Sequence, residues 1–383
     1  MSQNNGYIPG LEGVVAAETR LSHVDGQRGQ LIIAGFPVEE LAANASFEEV
    51  IHLLWAGHLP STTELVSLRD RLAGQRTLPA PTVDLLREAA QRDLQAMDAL
   101  RMAAGTLDFD AGEDLALAAT ARFPMMIAAY WRMRNGREPL APDPHLDHAA
   151  NYLYALYGVR PTAVQTRALE TYLNTVSDHG LNASTFTART IISTGSDLVS
   201  ALVGAIGALK GPLHGGAPGP ALDMVFEIGT MENTEPYLRD MLQRGERIMG
   251  FGHRVYKVRD PRAEVLADAA ERLYTSGNAI QGDLALYNRA KHVEDTAVAL
   301  LEEYKPGRKL QTNVEFYTAL LLHGLGLPTD LFTPTFAVGR VAGWIGHCLE
   351  QQRYGRLIRP ASSYIGKDRN NWIPIQDRAP VAV

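Results

Sequence analysis

Helical periodicity of the apolar residues dominates this chain and limits it to a mostly α fold. Strand patterns are few. The clearest runs from Gln30 to Ala34, before Gly35, and predicts a short N-terminal β-hairpin with Gly13 to Ala17. The sequence therefore predicts a mostly α architecture with at most that small hairpin. The predicted helices span residues 47–56, 62–74, 80–92, 112–134, 145–157, 161–176, 184–194, 197–209, 219–229, 234–243, 261–275, 278–288, 290–304, 313–323 and 333–352.

The last long predicted helix is rich in glycine. Gly339, Gly343 and Gly346 lie on or near one of its faces, and small residues allow helices to approach closely. Arg340 and His347 interrupt the apolar pattern, which argues against a membrane helix. We expect this face to pack closely in a large helical core or against a second subunit.

Length and composition indicate a soluble protein of more than one domain. The 383 residues exceed what one ordinary core needs, which predicts two to three domains. A net charge of −7 provides no general basic face for nucleic acid. The single cysteine, Cys348, rules out an internal disulfide framework. The N-terminus lacks a secretory signal pattern and no run reaches the roughly 18 apolar residues of a membrane helix, so we expect a cytoplasmic protein.

Two histidines stand in glycine-rich frames, which allow a ligand to approach the backbone. His214 lies in the sequence GPLHGG, and His253 lies in GFGHR. The imidazole of His214 is expected near the N-terminus of the following helix, which would lower its pKa and keep it neutral. A neutral imidazole can donate a hydrogen bond to a developing oxyanion. A turn histidine whose nitrogens bond to the backbone is the alternative interpretation.

Cations cluster after the second of these histidines. Arg254, Lys257, Arg259 and Arg262 follow within ten residues, which suggests a carboxylate or phosphate ligand. A solvated basic turn would have the same pattern. Arg262 also falls in the first turn of a predicted helix, where the helix dipole disfavours a cation. Some other interaction must therefore explain an arginine at this position.

Two other charged residues lie in apolar surroundings. Arg340 must be paired if it is buried, either with a protein carboxylate or with an anionic substrate. Glu315 enters an apolar helix, where burial would raise its pKa and suit it to act as a general base. A helix N-terminal carboxylate stabilised by the dipole is equally compatible. His145 and His148 have the spacing of metal ligands, but no third ligand accompanies them, which favours a surface helix start.

Several ordered, separated motifs together resemble the citrate synthase family. Any one of them would be weak evidence alone, whereas the set extends over nearly the whole chain, from Gly10 to Pro360. The motifs are NASTFTAR at 182–189, GPLHGG at 211–216, GFGHRVYK at 250–257 leading to DPR at 260–262, NVEFY at 313–317, FTPTFA at 332–337 and GW at 343–344.

The resemblance implies an almost all-α homodimer in which a large domain carries a smaller, mobile helical domain. By position, the small domain is expected at 217–326, on the coenzyme A side, and the large domain, with the dimer interface, at 1–216 and 327–383. The implied activity is that of an Si-type citrate synthase of the tricarboxylic acid cycle. Such an acyltransferase condenses acetyl-coenzyme A with oxaloacetate and hydrolyses citryl-coenzyme A. It needs no metal and no tightly bound cofactor, because the coenzyme A thioester is a co-substrate.

The resemblance also implies roles for individual residues. His214 matches the donor that stabilises the enol of acetyl-coenzyme A, Glu315 matches the base that removes the methyl proton, and His253 matches the histidine that polarises the ketone of oxaloacetate. The remaining matches are His179, Arg262 and Arg340 for oxaloacetate binding, Arg359 for an arginine that reaches in from the partner subunit, and Lys257, Gly250 and Gly252 for coenzyme A.

Glu315 departs from the family pattern, which commonly has aspartate at this position. A displacement of about 1 Å can lower a rate on the order of 100-fold, and we expect the backbone to compensate for the additional methylene because the other motifs are intact. Two further functions fit the sequence. One is a 2-methylcitrate synthase that uses propionyl-coenzyme A, since one methylene discriminates by only about 10- to 200-fold. The other is a non-catalytic regulator that binds oxaloacetate or citrate.

Overall fold

The computed structural model describes residues 7–109, 114–214, 218–252, 256, 258–367, 369 and 371–378, and helices dominate these residues. This confirms the mostly α fold class. The strands are β1 (Ser22–Asp25), β2 (Gln30–Ile33) and β3 (Phe36–Pro37), and the α-helices are α1 (Val38–Asn44), α2 (Phe47–Ala56), α3 (Thr62–Gly74), α4 (Ala80–Gln91), α5 (Ala96–Ala104), α6 (Leu115–Arg134), α7 (His148–Tyr157), α8 (Ala163–Val176), α9 (Ala183–Ile192), α10 (Leu198–Leu209), α11 (Pro218–Ile228), α12 (Thr234–Gln243), α13 (Pro261–Thr275), α14 (Leu284–Tyr304), α15 (Val314–Gly324) and α16 (Phe332–Tyr354).

Most predicted helices are confirmed to within a few residues at each end. The prediction of separate helices at 278–288 and 290–304 is wrong, because α14 is continuous. It begins after Asp283, whose carboxylate accepts a hydrogen bond from the Leu286 amide at 2.9 Å. The sequence pattern does not predict α1 and α5, since such short helices contain few repeats of the apolar spacing.

The small N-terminal sheet differs from the predicted hairpin in its partner strand. β2 pairs antiparallel with β1 and with β3, whereas residues 13–17 form no strand. The carboxylate of Asp25 accepts hydrogen bonds from the amides of Gln27 and Arg28 at 2.9 and 3.0 Å, which stabilises the tight turn between β1 and β2. Because this turn places β1 beside β2, the predicted pairing of β2 with Gly13 to Ala17 is wrong.

Helix α16 crosses the C-terminal end of α8 at very short range. A Cβ atom added at Gly339 would lie 2.6 Å from the Val176 side chain, and one at Gly343 would lie 2.1 Å from the carbonyl oxygen of Ser177. Larger residues at these positions would push the two helices apart. The predicted close packing of the glycine face therefore occurs within the chain, and it brings Arg340 against the last turn of α8.

Helices α11 to α15 pack largely on one another, with α13 against α15 and α12 against α14. Helix α13 also contacts α1 and α8, so it joins this group to the remaining helices. The grouping agrees with a small domain near 217–326, and those boundaries stay a prediction. Among the described residues, no helix is both long and apolar enough to cross a membrane.

Candidate active site

His214 follows α10 and faces the first turn of α9. Its Nε2 lies 2.8 Å from the hydroxyl of Ser184 and accepts a hydrogen bond from the Ser184 amide at 3.3 Å. Because an amide only donates, Nε2 is an acceptor, and the proton of a neutral ring resides on Nδ1. Burial and, to a smaller extent, the charge of Arg340 lower the pKa of His214 to about 4. The histidine is thus neutral, with its ring proton on Nδ1.

The helix terminus beside His214 differs from the one expected from sequence. The expected terminus was that of the following helix, α11, whereas the observed contact is with the N-terminus of α9. The indole of Trp344 on α16 donates to the same Ser184 hydroxyl at 3.0 Å. Sequence reasoning did not single out Ser184 or Trp344, although both lie inside the motifs that carry the resemblance.

Arg340 is buried without a carboxylate partner among the residues that the structure describes. Its side chain is 1% exposed, its Nε donates to the carbonyl oxygen of Val176 at 2.5 Å, and its guanidinium lies 4.6 Å from the centre of the Phe336 ring. Burial, with a smaller contribution from Arg262, lowers the pKa of Arg340 to about 10 despite the opposing charge of Asp178. Of the two partners considered for this arginine, a protein carboxylate is not the one observed.

Arg262, by contrast, has a carboxylate partner two residues away. Its Nε and one terminal nitrogen donate to the two oxygens of Asp260 at 3.0 and 2.7 Å, and the pair is buried. Asp260 also accepts hydrogen bonds from the Arg262 amide at 3.0 Å and from the Val314 amide at 3.3 Å. The unfavourable position of a cation in the first turn of α13 is therefore balanced by the N-cap residue, which also joins α13 to the start of α15.

Glu315 lies in the first turn of α15, half-buried. Its amide donates to the side chain of Asn313 at 3.0 Å, which caps the helix. Burial raises the pKa of the Glu315 carboxyl, and the charge of Arg262 opposes that rise in part. A carboxylate with a raised pKa is a stronger base than an exposed one, which is the property that a general base requires.

The segment 250–252 is bonded to the segment that precedes Glu315. The Gly252 amide donates to the Gln311 carbonyl at 2.7 Å, and the backbone and side-chain nitrogens of Asn313 donate to the carbonyls of Gly250 and Gly252, both at 2.9 Å. Gly250 has a φ of +85°, and a Cβ there would lie 2.9 Å from Phe316. Glycine is thus required at 250 by both conformation and space, and residues 250–252 lie directly beside the cap of α15.

His179 lies after α8 and contacts Tyr256. Its Nε2 is 3.1 Å from the Tyr256 hydroxyl, and the guanidinium of Arg262 lies 5.9 Å from the centre of the same tyrosine ring. Tyr256 therefore bridges His179 on one group of helices and Arg262 on the other. His253 and Lys257 lie outside the described residues.

Arg359 is not among the residues brought together here. It is exposed in the segment after α16 and borders a separate cavity of about 550 Å³, which Arg189 and Glu350 also line. Among the described residues, a chain of neighbours runs from His214 through Arg340 and Arg262 to Glu315, and Tyr256 connects His179 to Arg262, whereas Arg359 lies at this separate surface.

Glu294 on α14 is a buried carboxylate that sequence reasoning missed. One of its oxygens accepts from Thr312 at 2.7 Å and from Arg259 at 3.1 Å, and the other accepts from Lys291 at 3.0 Å and from the hydroxyl of Tyr317. It thereby holds the chain on both sides of residue 315. The available signal was an acidic residue on the apolar face of α14.

Comparison with known proteins gives one consistent result. A family model described as "Citrate synthase, C-terminal domain" matches residues 10–361. The chain is 42% identical to a citrate synthase of Haloferax volcanii over 96% of this chain and 98% of that protein. It is 41% identical to citrate synthase 2 of Bacillus subtilis over 97% and 99%. A 2-methylcitrate synthase of Shewanella oneidensis is 37% identical over 96% and 97%.

Solved structures agree with the sequence matches. Citrate synthase from Pyrobaculum aerophilum has a TM-score of 0.87 and 35% identity, with 97% of this chain and 95% of that chain covered. A ternary complex of carboxymethyl coenzyme A and oxaloacetate with citrate synthase from Thermoplasma acidophilum has a TM-score of 0.86 and 29% identity, covering 97% and 99%.

Proposed function

The chain belongs to the citrate synthase family, and on this premise we propose that it uses acetyl-coenzyme A and oxaloacetate to form citrate and free coenzyme A. The observation that carries the assignment to this site is that a neutral histidine and a carboxylate of raised pKa each lie near one of two neighbouring buried arginines. The charges of two buried arginines connect these two groups. Arg340 contributes to the low pKa of His214, and Arg262 acts on both Arg340 and Glu315.

The first chemical step is removal of a proton from the methyl group of the thioester. The Glu315 carboxylate takes this proton, and the electron pair moves onto the thioester oxygen. His214 donates its Nδ1 proton in a hydrogen bond to that oxygen, which stabilises the enol where its charge develops. The low pKa of His214 supports this role, because the ring stays neutral at the pH where Glu315 is ionised.

The second step joins the enol carbon to the ketone carbon of oxaloacetate. We assign Arg262, Arg340 and His179 to the two carboxylates of this substrate, and His253 to its ketone oxygen. Arg340 is buried and has no carboxylate partner among the described residues, which supports an anionic ligand, since isolated buried charge is otherwise unfavourable. Water then cleaves the thioester of citryl-coenzyme A, which releases citrate and the free thiol.

The coenzyme A contacts and the assembly are part of the same proposal. Lys257 meets the phosphates, and the backbone at Gly250 and Gly252 borders the adenine. The chain acts as a cytoplasmic homodimer with the large and small domains at 1–216 with 327–383 and at 217–326. Arg359 then enters the site of the partner, which agrees with its exposed position on this subunit. The ternary complex named above supports the substrate classes.

Release of free thiol from the coenzyme A thioester tests the proposed reaction. Purified protein is mixed with oxaloacetate and either acetyl- or propionyl-coenzyme A, and thiol is measured with time. Faster release with acetyl-coenzyme A supports citrate synthase, and a preference for propionyl-coenzyme A identifies a 2-methylcitrate synthase, as named among the relatives. Saturable binding of oxaloacetate without thiol release would instead identify a non-catalytic regulator.

Glu315→Gln tests the assignment of the base. The variant is expected to lose turnover and to keep oxaloacetate binding largely intact, as measured by calorimetry. Glu264→Gln is the matched control, because Glu264 occupies the first turn of α13 but is exposed. A Glu315→Gln enzyme with an unchanged rate would remove this residue from the mechanism.

A further inference from the structure

Two histidines and one glutamate meet at the turn between α2 and α3, outside the proposed active site. His52 lies in α2, His58 follows the left-handed Gly57 that ends this helix, and Glu64 lies in the first turn of α3. Their ligand atoms all lie within 4.8 Å of one another. Among the residues that the structure describes, this is the one such group of three potential metal ligands.

The protonation of His52 leaves a lone pair directed at this cluster. Its Nδ1 lies 3.0 Å from the carbonyl oxygen of His58, and a carbonyl oxygen only accepts. The Nδ1 therefore carries a proton, and in the neutral ring Nε2 is the unprotonated nitrogen. A backbone carbonyl that fixes the tautomer of a histidine in this way is a regular feature around metal-binding histidines.

Glu64 is oriented by its role as part of a helix cap. Its Oε2 accepts hydrogen bonds from the amide and hydroxyl of Ser61 at 2.8 and 2.7 Å. These bonds hold the carboxylate in place at the start of α3. The second oxygen, Oε1, faces the histidines.

The distances are close to those between ligand atoms around a small divalent cation, and the one between His58 and Glu64 also fits a hydrogen bond. Oε1 of Glu64 lies 3.4 Å from Nε2 of His58 and 3.9 Å from Nε2 of His52. Ligand atoms on a tetrahedral zinc ion are separated by roughly 3.4 Å, given Zn–N and Zn–O bonds of about 2.0–2.2 Å.

We propose that His52, His58 and Glu64 form a surface site for Zn²⁺ or a similar divalent transition metal, with one coordination position open to solvent. The His52 side chain is 15% exposed, whereas those of His58 and Glu64 are 59% and 44% exposed. His52, the least exposed of the three, provides a fixed ligand, and the two exposed side chains adjust to close around the ion. Metal at this site joins the end of α2 to the start of α3.

Metal titration of the tag-free full-length chain tests the site. After treatment with a chelator and dialysis, the protein is titrated with Co²⁺, whose visible absorption intensifies in a tetrahedral site, and then with Zn²⁺ in competition. One equivalent is expected to bind. His58→Gln and Glu64→Gln should each weaken binding at least about 10-fold, the range found even when only supporting residues around a metal are removed.

The variants are chosen so that folding and capping are preserved. Glutamine at the third helical position can replace glutamate in a capping box, so Glu64→Gln removes the anionic ligand and keeps the cap. Glu49→Gln is the matched control, because Glu49 forms the same capping box with Ser46 on α2 without a histidine pair. The control should bind metal as the original chain does.

Thermal unfolding provides a second measurement. Bound Zn²⁺ should raise the unfolding temperature of the original chain and of Glu49→Gln, since a ligand of the native state stabilises it by mass action. His58→Gln should show no such rise. Absence of saturable binding at one equivalent would overturn the proposal, and so would binding that His58→Gln and Glu64→Gln leave unchanged, because it would arise from other histidines.

Discussion

The two sides of the candidate site hold their buried arginines in different ways. On the α13 side, Arg262 forms two hydrogen bonds with Asp260, so its charge is balanced within the chain. On the α16 side, Arg340 is equally buried, and its Nε bonds to the carbonyl of Val176, which carries no charge. The charge of Arg262 is thus already balanced without a ligand, whereas that of Arg340 has no carboxylate partner among the described residues.

This difference separates stability from binding. Removing one partner of a buried ion pair leaves the other charge uncompensated, which is strongly unfavourable. Removing an unpaired buried charge relieves a desolvation penalty instead. Functional sites commonly retain such unfavourable groups because the ligand requires them. The α13 side should therefore respond to mutation mainly through folding, and the α16 side mainly through substrate binding.

Arg262→Met should produce the largest loss of stability. It leaves the carboxylate of Asp260 buried without its cation, and such losses are about 3 to 5 kcal/mol. Chemical denaturation followed by circular dichroism measures the free energy of unfolding. Arg92→Met serves as a control, because that arginine forms an exposed ion pair with Glu88 on the surface. Equal stability of the Arg262 variant and the original chain would contradict the stabilising role assigned to the ion pair.

Arg340→Met should affect binding more than folding. We expect oxaloacetate affinity to fall by about 100-fold, since removal of a buried charged partner decreases binding by about 2 to 5 kcal/mol. The free energy of unfolding without ligand should be unchanged or higher, because a desolvated charge has been removed. Calorimetry with oxaloacetate and denaturation without it measure the two quantities. A large loss of stability would contradict the distinction between the two sides.

Glu315→Asp tests whether the backbone on the α13 side is built for the longer side chain. If it is, shortening the carboxylate displaces it, and kcat should fall on the order of 10-fold while the KM for oxaloacetate stays the same. Steady-state kinetics with thiol detection measure both constants. A higher kcat for the aspartate variant would mean that the chain does not compensate for its glutamate.

The pH dependence of stability should have opposite signs on the two sides. His214 has a folded pKa of about 4 against an ordinary value of 6.5, so its contribution is present above pH 6.5 and is lost as the pH falls towards 4. Glu315 has a raised pKa, so its contribution is present below 4.5 and is lost as the pH rises through the folded value.

Two variants separate these contributions in denaturation curves recorded from pH 4 to pH 8. His214→Asn should reduce the fall in stability between pH 6.5 and pH 4. Glu315→Gln should increase the free energy of unfolding at pH 8 and leave it nearly unchanged near pH 4. Parallel pH profiles for both variants and the original chain would contradict the assigned environments.

Local sequence patterns correctly predicted the secondary structure that neighbouring residues determine. Asp260 followed by Pro261 marks the start of α13, and the structure confirms that boundary. A break at residue 289 was predicted within α14, but the helix continues through it. The partner strand of β2 was also missed, because the turn formed by Asp25 outweighs the apolar pattern farther along the chain.

Partners that are distant in sequence could not be predicted in the same way. The unpaired state of Arg340 depends on what surrounds α16 in three dimensions. The histidine pair with metal-like spacing, His145 and His148, is separated by burial: His145 is exposed, and burial lowers the pKa of the enclosed His148 to about 3. The cluster that includes His52 instead spans a turn, where no helical spacing marks it.

The antiparallel bridge between Phe251 and Thr312 limits which insertions and deletions this protein can accept during evolution. Side chains alternate along paired backbones, so one inserted residue in either segment would reverse the direction of those beyond it. Asn313 would then no longer cap the helix that carries Glu315. Insertions and deletions should therefore be excluded from these two segments, and length variation among descendants of this chain should accumulate in other loops.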